Sequence, residues 1–531
     1  MRSKFLVMAT LCSGILSLVT ALGAQEAAAH RPIGMVQDWS DHSIVFTYDG
    51  LLQHPDLLNS EPRIMRNLMQ RLQSPPPTKL SIKPVASSHR DWQLSLGRGH
   101  IATNMYPAKY TFDPNQTPSC TNDFAVFALN TGGASGGQAN LVGLENLYSG
   151  TSPTGICGTA PTVLFAYDVT ASNGKVATSP ILSEDGTKIA FVESQGAASI
   201  FHVVTWVRNQ GTITAAAVPT QMTSLTYSSA GTTTSAPWVD YSDDIAYVGD
   251  DNGVIYKITG VFKGTPTLSG SPWPVTVSSG YRLSPPVLDR PLGQLVVGSR
   301  NGDLYEVNTT TGTLSAMIVG AHGHTNPGVL AAPLIDITNN IAYVVSANGG
   351  TSAVLVQVDL ATLTALGTAS IGLGASGGTG LSIGLPALDN NYYNDPSTGT
   401  IYACGTGGTD TTPWLYTFGF NGIDLNTTAT SQSQLLTSTA ATCTNFTEFF
   451  NPNVSGGTNF FFFGLTQDCT GAGTSGCVAA LTSSNFLTTP VSGGPSGIVV
   501  DNWSTQAQAS SIYLTGEKVN TAFKFTQNGL Q

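Results

Sequence analysis

Ser284 to Leu314 reads SPPVLDRPLGQLVVGSRNGDLYEVNTTTGTL. Two apolar runs, QLVVG and DLYEV, flank an Asn-Gly turn, and a shorter run before them ends in Asp289. Asn-Gly between alternating runs is a strong hairpin signal. Proline is tolerated where a strand starts, because no ladder donor is needed there. The stretch therefore predicts three short antiparallel strands, with LSAMIVGA after Thr313 as a looser fourth.

The pattern recurs on both sides. Copies begin at Pro180 (SPILSEDGTKIAFVESQGAASIFHVVTW), Pro237 (APWVDYSDDIAYVGDDNGVIYKITG), Pro333 (APLIDITNNIAYVVSANGG) and Pro386 (LPALDNNYYNDPSTGTIYACGTGG). From one Pro to the next the spacing is 57, 49, 47 and 53 residues, a drift that fits a repeat with variable loops. Degenerate copies follow Cys443 and end the chain, and YPAKYTFDPNQTPSCTNDFAVFALN opens an atypical first one. Four strands per unit of about 40 to 50 residues is the blade of a β-propeller. Eight units are counted, or seven if an outer copy is misread. The last stops after three strands, so ring closure needs an N-terminal strand, for which Asp91 to Gly97 (DWQLSLG) is the candidate.

The recurring Asp240, Asp289, Asp336 and Asp389 stand where a strand enters a turn, and an Asp there accepts hydrogen bonds from the turn's backbone. They read as turn-builders, since a catalytic acid is needed once and not in every repeat.

Composition agrees with strands and turns. Charged residues make up 10% of the 531, against about 25% in average domains. A hydrophobic content of 41% excludes a disordered chain. Arg2 and Lys4 precede an uncharged apolar run and then Ala21-Leu22-Gly23, so residues 1–23 read as a secretory signal peptide. No later segment is long and apolar enough to cross a membrane. The expected location is secreted, periplasmic or cell-surface. Removing Arg2 and Lys4 takes the net charge from −11 to −13, which argues against a nucleic acid partner.

Six cysteines then remain, and an even count in an exported chain suggests disulfides. Neighbours are the expected couples, Cys120 with Cys157, Cys404 with Cys443 and Cys469 with Cys477, because each brackets adjacent strands of the repeat. No pair has the CxxC spacing of zinc or thioredoxin-type sites.

Residues 24–90 differ in kind from the propeller region 91–531. Ser60 to Gln73 (SEPRIMRNLMQRLQ) places Ile64, Leu68 and Leu72 four apart with Arg63, Arg66 and Arg71 between them, predicting a short amphipathic helix that packs on the side or a mouth of the ring. SPPPTK after it reads as a semi-rigid linker.

With its Ser-Pro start, Val-Gly-Ser-x-Asn-Gly-x-Leu-Tyr core and Thr-Gly end, Ser284–Leu314 resembles the repeat of PQQ-like, quinoprotein-type propellers. The likeness extends in weaker form from about Pro180 to Lys524. QDWSDHSIVFTYDG and the Tyr106 segment are similar to exported bacterial propeller proteins without an assigned activity. The resemblance implies a propeller, while the quinone-dependent dehydrogenases of that superfamily imply an adjacent cysteine pair, an aromatic floor, a calcium-binding carboxylate and an Asp base. This chain has no Cys-Cys dipeptide and lacks the Trp expected after Thr-Gly in each repeat. No cofactor is therefore expected, with calcium or PQQ as the ones to test.

Two other clusters carry chemistry in principle. Asp240, Asp243 and Asp244 with GDDNG offer hard oxygen ligands to calcium or a carboxylate pair for glycoside cleavage, against two solvated turns around one strand. His322 and His324 lie two apart and face one side if extended, as a metal pair would. Neither has the spacing of a complete ligand set. The expectation is an all-β, exported, non-catalytic propeller that binds a protein or a glycan. The competing reading is a propeller enzyme, either a polysaccharide lyase or hydrolase or a degenerate PQQ-dependent dehydrogenase.

Overall fold

The computed structural model describes residues 35–37, 44–72, 88–111, 118–152, 154–170, 174–322, 327–374, 383–452, 454, 456–469, 475–483, 485–501 and 508–527. The expected leader and Pro-rich linker lie outside these residues. Eight antiparallel sheets follow one another as blades I to VIII, so the chain is an eight-bladed β-propeller. Blade IV is the stretch first read: Val287–Asp289, Gln294–Gly298, Asp303–Asn308 and Leu314–Ile318, in that order from the axis outward.

The inner strands of the other blades are Ala108–Thr111 (I), Ile181–Leu182 (II), Trp238–Asp240 (III), Leu334–Asp336 (V), Ala387–Leu388 (VI), Thr447–Asn451 (VII) and Val499–Asp501 (VIII). The repeated prolines sit one residue before these strands, not at their first position. The loose fourth segment is a continuous outer strand in blade IV. In blade III it is two pieces, Thr267–Leu268 and Val275–Thr276, each pairing with Val254–Thr259.

All four turn aspartates do as expected. Ser242 and Asp243 N–H donate to Asp240, Leu292 N–H to Asp289, Thr338 and Asn339 N–H to Asp336, and Tyr392 and Thr400 N–H to Asp389. A second device ties the start of the inner strand to the end of its neighbour. The Gly249 N–H donates to Ser235 Oγ at 3.1 Å, Gly298 to Ser284 Oγ at 2.9 Å and Gly464 to Thr444 Oγ1 at 2.7 Å. Glycine is required at 298, where a Cβ would stand 2.1 Å from Val329 Cγ1.

Blades pack face to face, so a strand between two blades is buried on both sides and loses the apolar–polar alternation of a half-exposed sheet. Phe460 to Phe463 illustrate this. Phe460 and Phe462 join Phe523 and Phe525 of blade VIII, while Phe461 and Phe463 join Cys404 and Phe446 on the blade VI side. Outer strands such as Leu314–Ile318 are largely exposed.

Closure follows the sequence expectation with a small shift in bounds. Ser88–Ser95 pairs with Thr521–Gln527 as the outer strand of blade VIII, so the ring is locked by its two chain regions and that blade's edge is covered. Two ion pairs are buried here: Lys109 of blade I with Asp501 of blade VIII at 2.9 Å, and, within blade VIII, Lys524 with Asp91 at 2.5 Å. The bonded cysteines are the three neighbouring couples, Cys120–Cys157, Cys404–Cys443 and Cys469–Cys477.

Candidate functional site

A propeller has two mouths, and here they differ because the N-terminal region crosses the axis. Met35–Gln37 pairs antiparallel with the inner strand of blade I, and Ile44–Val45 pairs parallel with that of blade V. In an eight-membered ring these blades stand opposite each other. Helices α1 (Tyr48–Gln53), α2 (Leu57–Ser60) and α3 (Pro62–Leu72) follow. The Thr47 side chain accepts the Gly50 N–H as the α1 cap, and the Thr47 N–H donates to Thr338 Oγ1 of blade V at 2.8 Å.

Helix α3 spans the ring a second time. Ile64 and Leu68 are buried as its apolar spacing predicts. The arginines between them are not turned to solvent. Arg66 and Arg71 are buried, and Arg63 is nearly so. The Arg63 guanidinium lies 3.7 Å over the Trp238 ring and donates to the Val239 carbonyl of blade III. Arg71 pairs with Glu448 of blade VII at 2.6 Å, donates to Asn390 Oδ1 at 2.7 Å and stacks 3.5 Å over Tyr393. Blades III and VII also stand opposite. The helix is thus a crossbar bolted at both ends by guanidinium groups, which combine ion pairing with stacking on flat rings. Burial pushes the Glu448 and Glu61 carboxyls up, against the opposing pull of Arg71 and Arg63 respectively. A cavity of only about 50 Å³ is left beneath this plug.

At the other mouth, where the inner strands begin, a cavity of about 530 Å³ is open. That volume is in the range of ligand sites. Loops of blades I to VII line it. Ile101, Leu330, Ala331, Ala332 and Ile383 give apolar wall, while Thr103, Asn104, Asn130, Asn445, Arg282 and Arg300 give polar groups. Arg282 and Arg300 are joined through their backbones, the Arg300 N–H donating to the Arg282 carbonyl at 2.9 Å. Behind them Asp251 accepts from the Thr232 hydroxyl at 2.6 Å, and burial pushes its carboxyl up. Glu517 supports the rim by accepting the Asn104 N–H, and burial pushes it up to about 7.

The sequence-predicted sites fall elsewhere. Asp240 accepts from Arg290 at 2.6 Å as well as from its turn, Asp243 stands 3.3 Å from Arg290, and Asp244 accepts the Phe262 and Lys263 N–H groups. These carboxylates are spent on the turn and on one cation. His322 Nδ1 lies 2.8 Å from Asp303, and His324 lies outside the described residues. Among the described residues no three His, Cys, Asp or Glu side chains stand together as a metal site.

One constellation was missed. On blade II, Ser224 Oγ is 2.8 Å from His202 Nδ1, and His202 Nε2 is 2.8 Å from Glu193 Oε2. The sequence of groups is that of a hydrolase triad, but the two ring nitrogens have exchanged partners, since a triad serine bonds to Nε2 and its acid to Nδ1. Its setting is three adjacent strands, Lys188–Ser194, Ser199–Thr205 and Met222–Ser228, with His202 directly opposite Ser224. The imidazole is also stacked on Phe191. The serine is exposed on an outer strand and belongs to neither mouth. A polar ladder that satisfies a buried Glu and His accounts for the arrangement. The signal available was Glu193 and His202 inside otherwise apolar strands.

No family model matches the chain, and no curated protein matches it. Among solved structures, it is similar to BamB from Moraxella catarrhalis (11% identity, 83% of this chain and 100% of that one, TM-score 0.45). It is also similar to the WD40 domain of Toxoplasma gondii coronin (9%, 64% and 78%, 0.39) and to a chain of the Mitotic Checkpoint Complex (10%, 79% and 97%, 0.39). At such identities and scores these likenesses assign no function. Among the described residues no helix is long and apolar enough to cross a membrane.

Proposed function

We propose that the protein is an exported, non-catalytic binding or scaffold propeller that holds a protein or glycan at its open mouth. The observation that carries this reading is the asymmetry of the ring. One end is filled by an internal crossbar fastened to opposite blades, which leaves the other mouth open as a cavity of about 530 Å³ built from loops of seven blades. The signal-like N-terminus and the three disulfides support export. The PQQ-like repeat is taken as a mark of common architecture, without the quinone.

The test is site-directed photo-crosslinking in cells of the source organism. A benzophenone amino acid at Thr234, exposed in the open mouth, is expected to give a discrete adduct. The same group at Thr364, exposed on an outer strand, is expected to give none. Adducts at Thr364 alone would move the binding face to the ring's side. Turnover of a polysaccharide, or of an alcohol with PQQ and calcium, by the purified protein would replace the scaffold reading with the enzyme one.

A further inference from the structure

We propose that the open mouth takes an acidic peptide segment of a partner protein, a short stretch in which Asp or Glu alternates with apolar residues. This rests on the reading of that mouth as the binding face, and it adds the chemistry of what binds.

The first argument is charge. The chain carries 32 acidic against 21 basic residues, yet among the described residues the cavity wall holds two arginines and no Asp or Glu. A cleft lined by one sign of charge focuses its field and draws ligands of the other sign. The second is an unmet donor. Arg282 Nε is buried and bonds to no acceptor among the described residues, a state that a carboxylate accepting from the guanidinium fork would relieve. Asp251, whose carboxyl feels both Arg282 and Arg300, leaves that Nε unbonded.

The rest of the wall selects among anions. Leu330, Ala331, Ala332 and Ile383 offer contact to aliphatic side chains, and Asn104, whose Oδ1 accepts the Asn445 N–H at 3.3 Å, carries amide N–H donors for peptide carbonyls. Among the described residues no aromatic ring lines the cavity to serve as a stacking surface for a sugar or a base. A carboxylate set among apolar residues on an extended peptide fits each of these features.

The experiment is a selection of random octapeptides displayed on phage against the full-length mature protein, followed by fluorescence anisotropy with the selected peptides synthesised in labelled form. The expected result is enrichment of Asp and Glu next to Leu, Ile or Val. Arg282→Gln and the rim variant Arg300→Gln are each expected to weaken binding tenfold or more at unchanged thermal midpoint, with Arg282→Lys intermediate. Selected peptides that are neutral or basic, yet are lost on Ala331→Glu, would overturn the acidic assignment and keep the mouth. Peptides indifferent to Arg282→Gln, Arg300→Gln and Ala331→Glu would overturn the mouth itself. No selected peptide, with an Arg282-dependent thermal shift on oligogalacturonate, would replace the peptide by a uronate glycan. No selected peptide and no shift would also overturn the proposal.

Discussion

Replacing Arg71 by Met tests whether the helical crossbar is fastened into the ring. Met keeps most of the aliphatic volume and removes the cation, so the buried Glu448 loses its partner, of which the two side chains are 2% and 10% exposed. A buried carboxylate without a cation takes up a proton instead of staying charged. At pH 7 that protonation costs about 1.4 kcal/mol for each unit between the pH and the ordinary carboxyl value of 4.5, or at most roughly 3.4 kcal/mol relative to wild type, where burial already holds the carboxyl somewhat above that value. The figure agrees with the 3–5 kcal/mol typical of a broken buried pair. At pH 5 the same cost is only about 0.7 kcal/mol, so the deficit of the variant shrinks on acidification. Some loss persists at every pH from the Asn390 hydrogen bond and the Tyr393 stacking. Urea unfolding of wild type and Arg71→Met at pH 7 and pH 5 reads the difference directly, and Arg71→Met with Glu448→Gln is expected to recover most of the pH 7 loss. With an unfolding entropy near 2.1 cal/mol/K per residue, the pH 7 deficit corresponds to a fall of about 3 °C in the thermal midpoint. A variant within about 0.5 kcal/mol of wild type at pH 7 would mean that the guanidinium is solvated and that α3 does not bolt blade VII.

Asp289 and Glu306 are each pushed up to about 7, first by burial and then by neighbouring carboxylates. Their folded values lie above the unfolded ones, so stability is fullest below about pH 4 and falls as the pH rises to about 7, with a slope of at most about 1.4 kcal/mol per unit for each group. Asp289→Asn is expected to raise stability at pH 7.5 and to raise it roughly a third as much at pH 5 in the same unfolding assay; a loss at pH 7.5 would show that the carboxylate is charged and needed. Converting Cys120 and Cys157 to Ala opens a link between residues 37 apart, which the loop-entropy relation values at about 4 kcal/mol, and a thermal midpoint unchanged by the double variant would refute that link. A fluorophosphonate probe is expected to leave Ser224 unlabelled, because the ladder lies on an open strand without an oxyanion pocket of the kind acyl transfer needs; labelling abolished by His202→Ala, read by mass spectrometry, would make blade II a hydrolytic site.

Much of the architecture was legible in the chain because a propeller is built from local signals. Asn-Gly turns, Pro before a strand and Asp after it act within a few residues of each other, and each repeat must satisfy the same local requirements, so the copies in VLDRPLGQLVVG and LIDITNNIAYVV align by eye. The missing fourth strand of the last copy was a counting argument, and DWQLS supplied it. The neighbouring cysteine couples followed from the same strand order.

What the tertiary structure alone decided concerns residues brought together over long separations. In the sequence Arg63 and Arg71 are only the residues between the apolar positions of a short helix, and nothing within α3 says that Trp238 lies against one and Glu448 beside the other, more than 170 and 370 positions away. The same holds for the open mouth, whose wall is one or a few residues from each of nine loops, and for Ser224, His202 and Glu193, which meet only through strand register. Periodicity reports which face of an element is buried. It does not report what the facing element carries, because that depends on how the ring closes and on which segment crosses its axis.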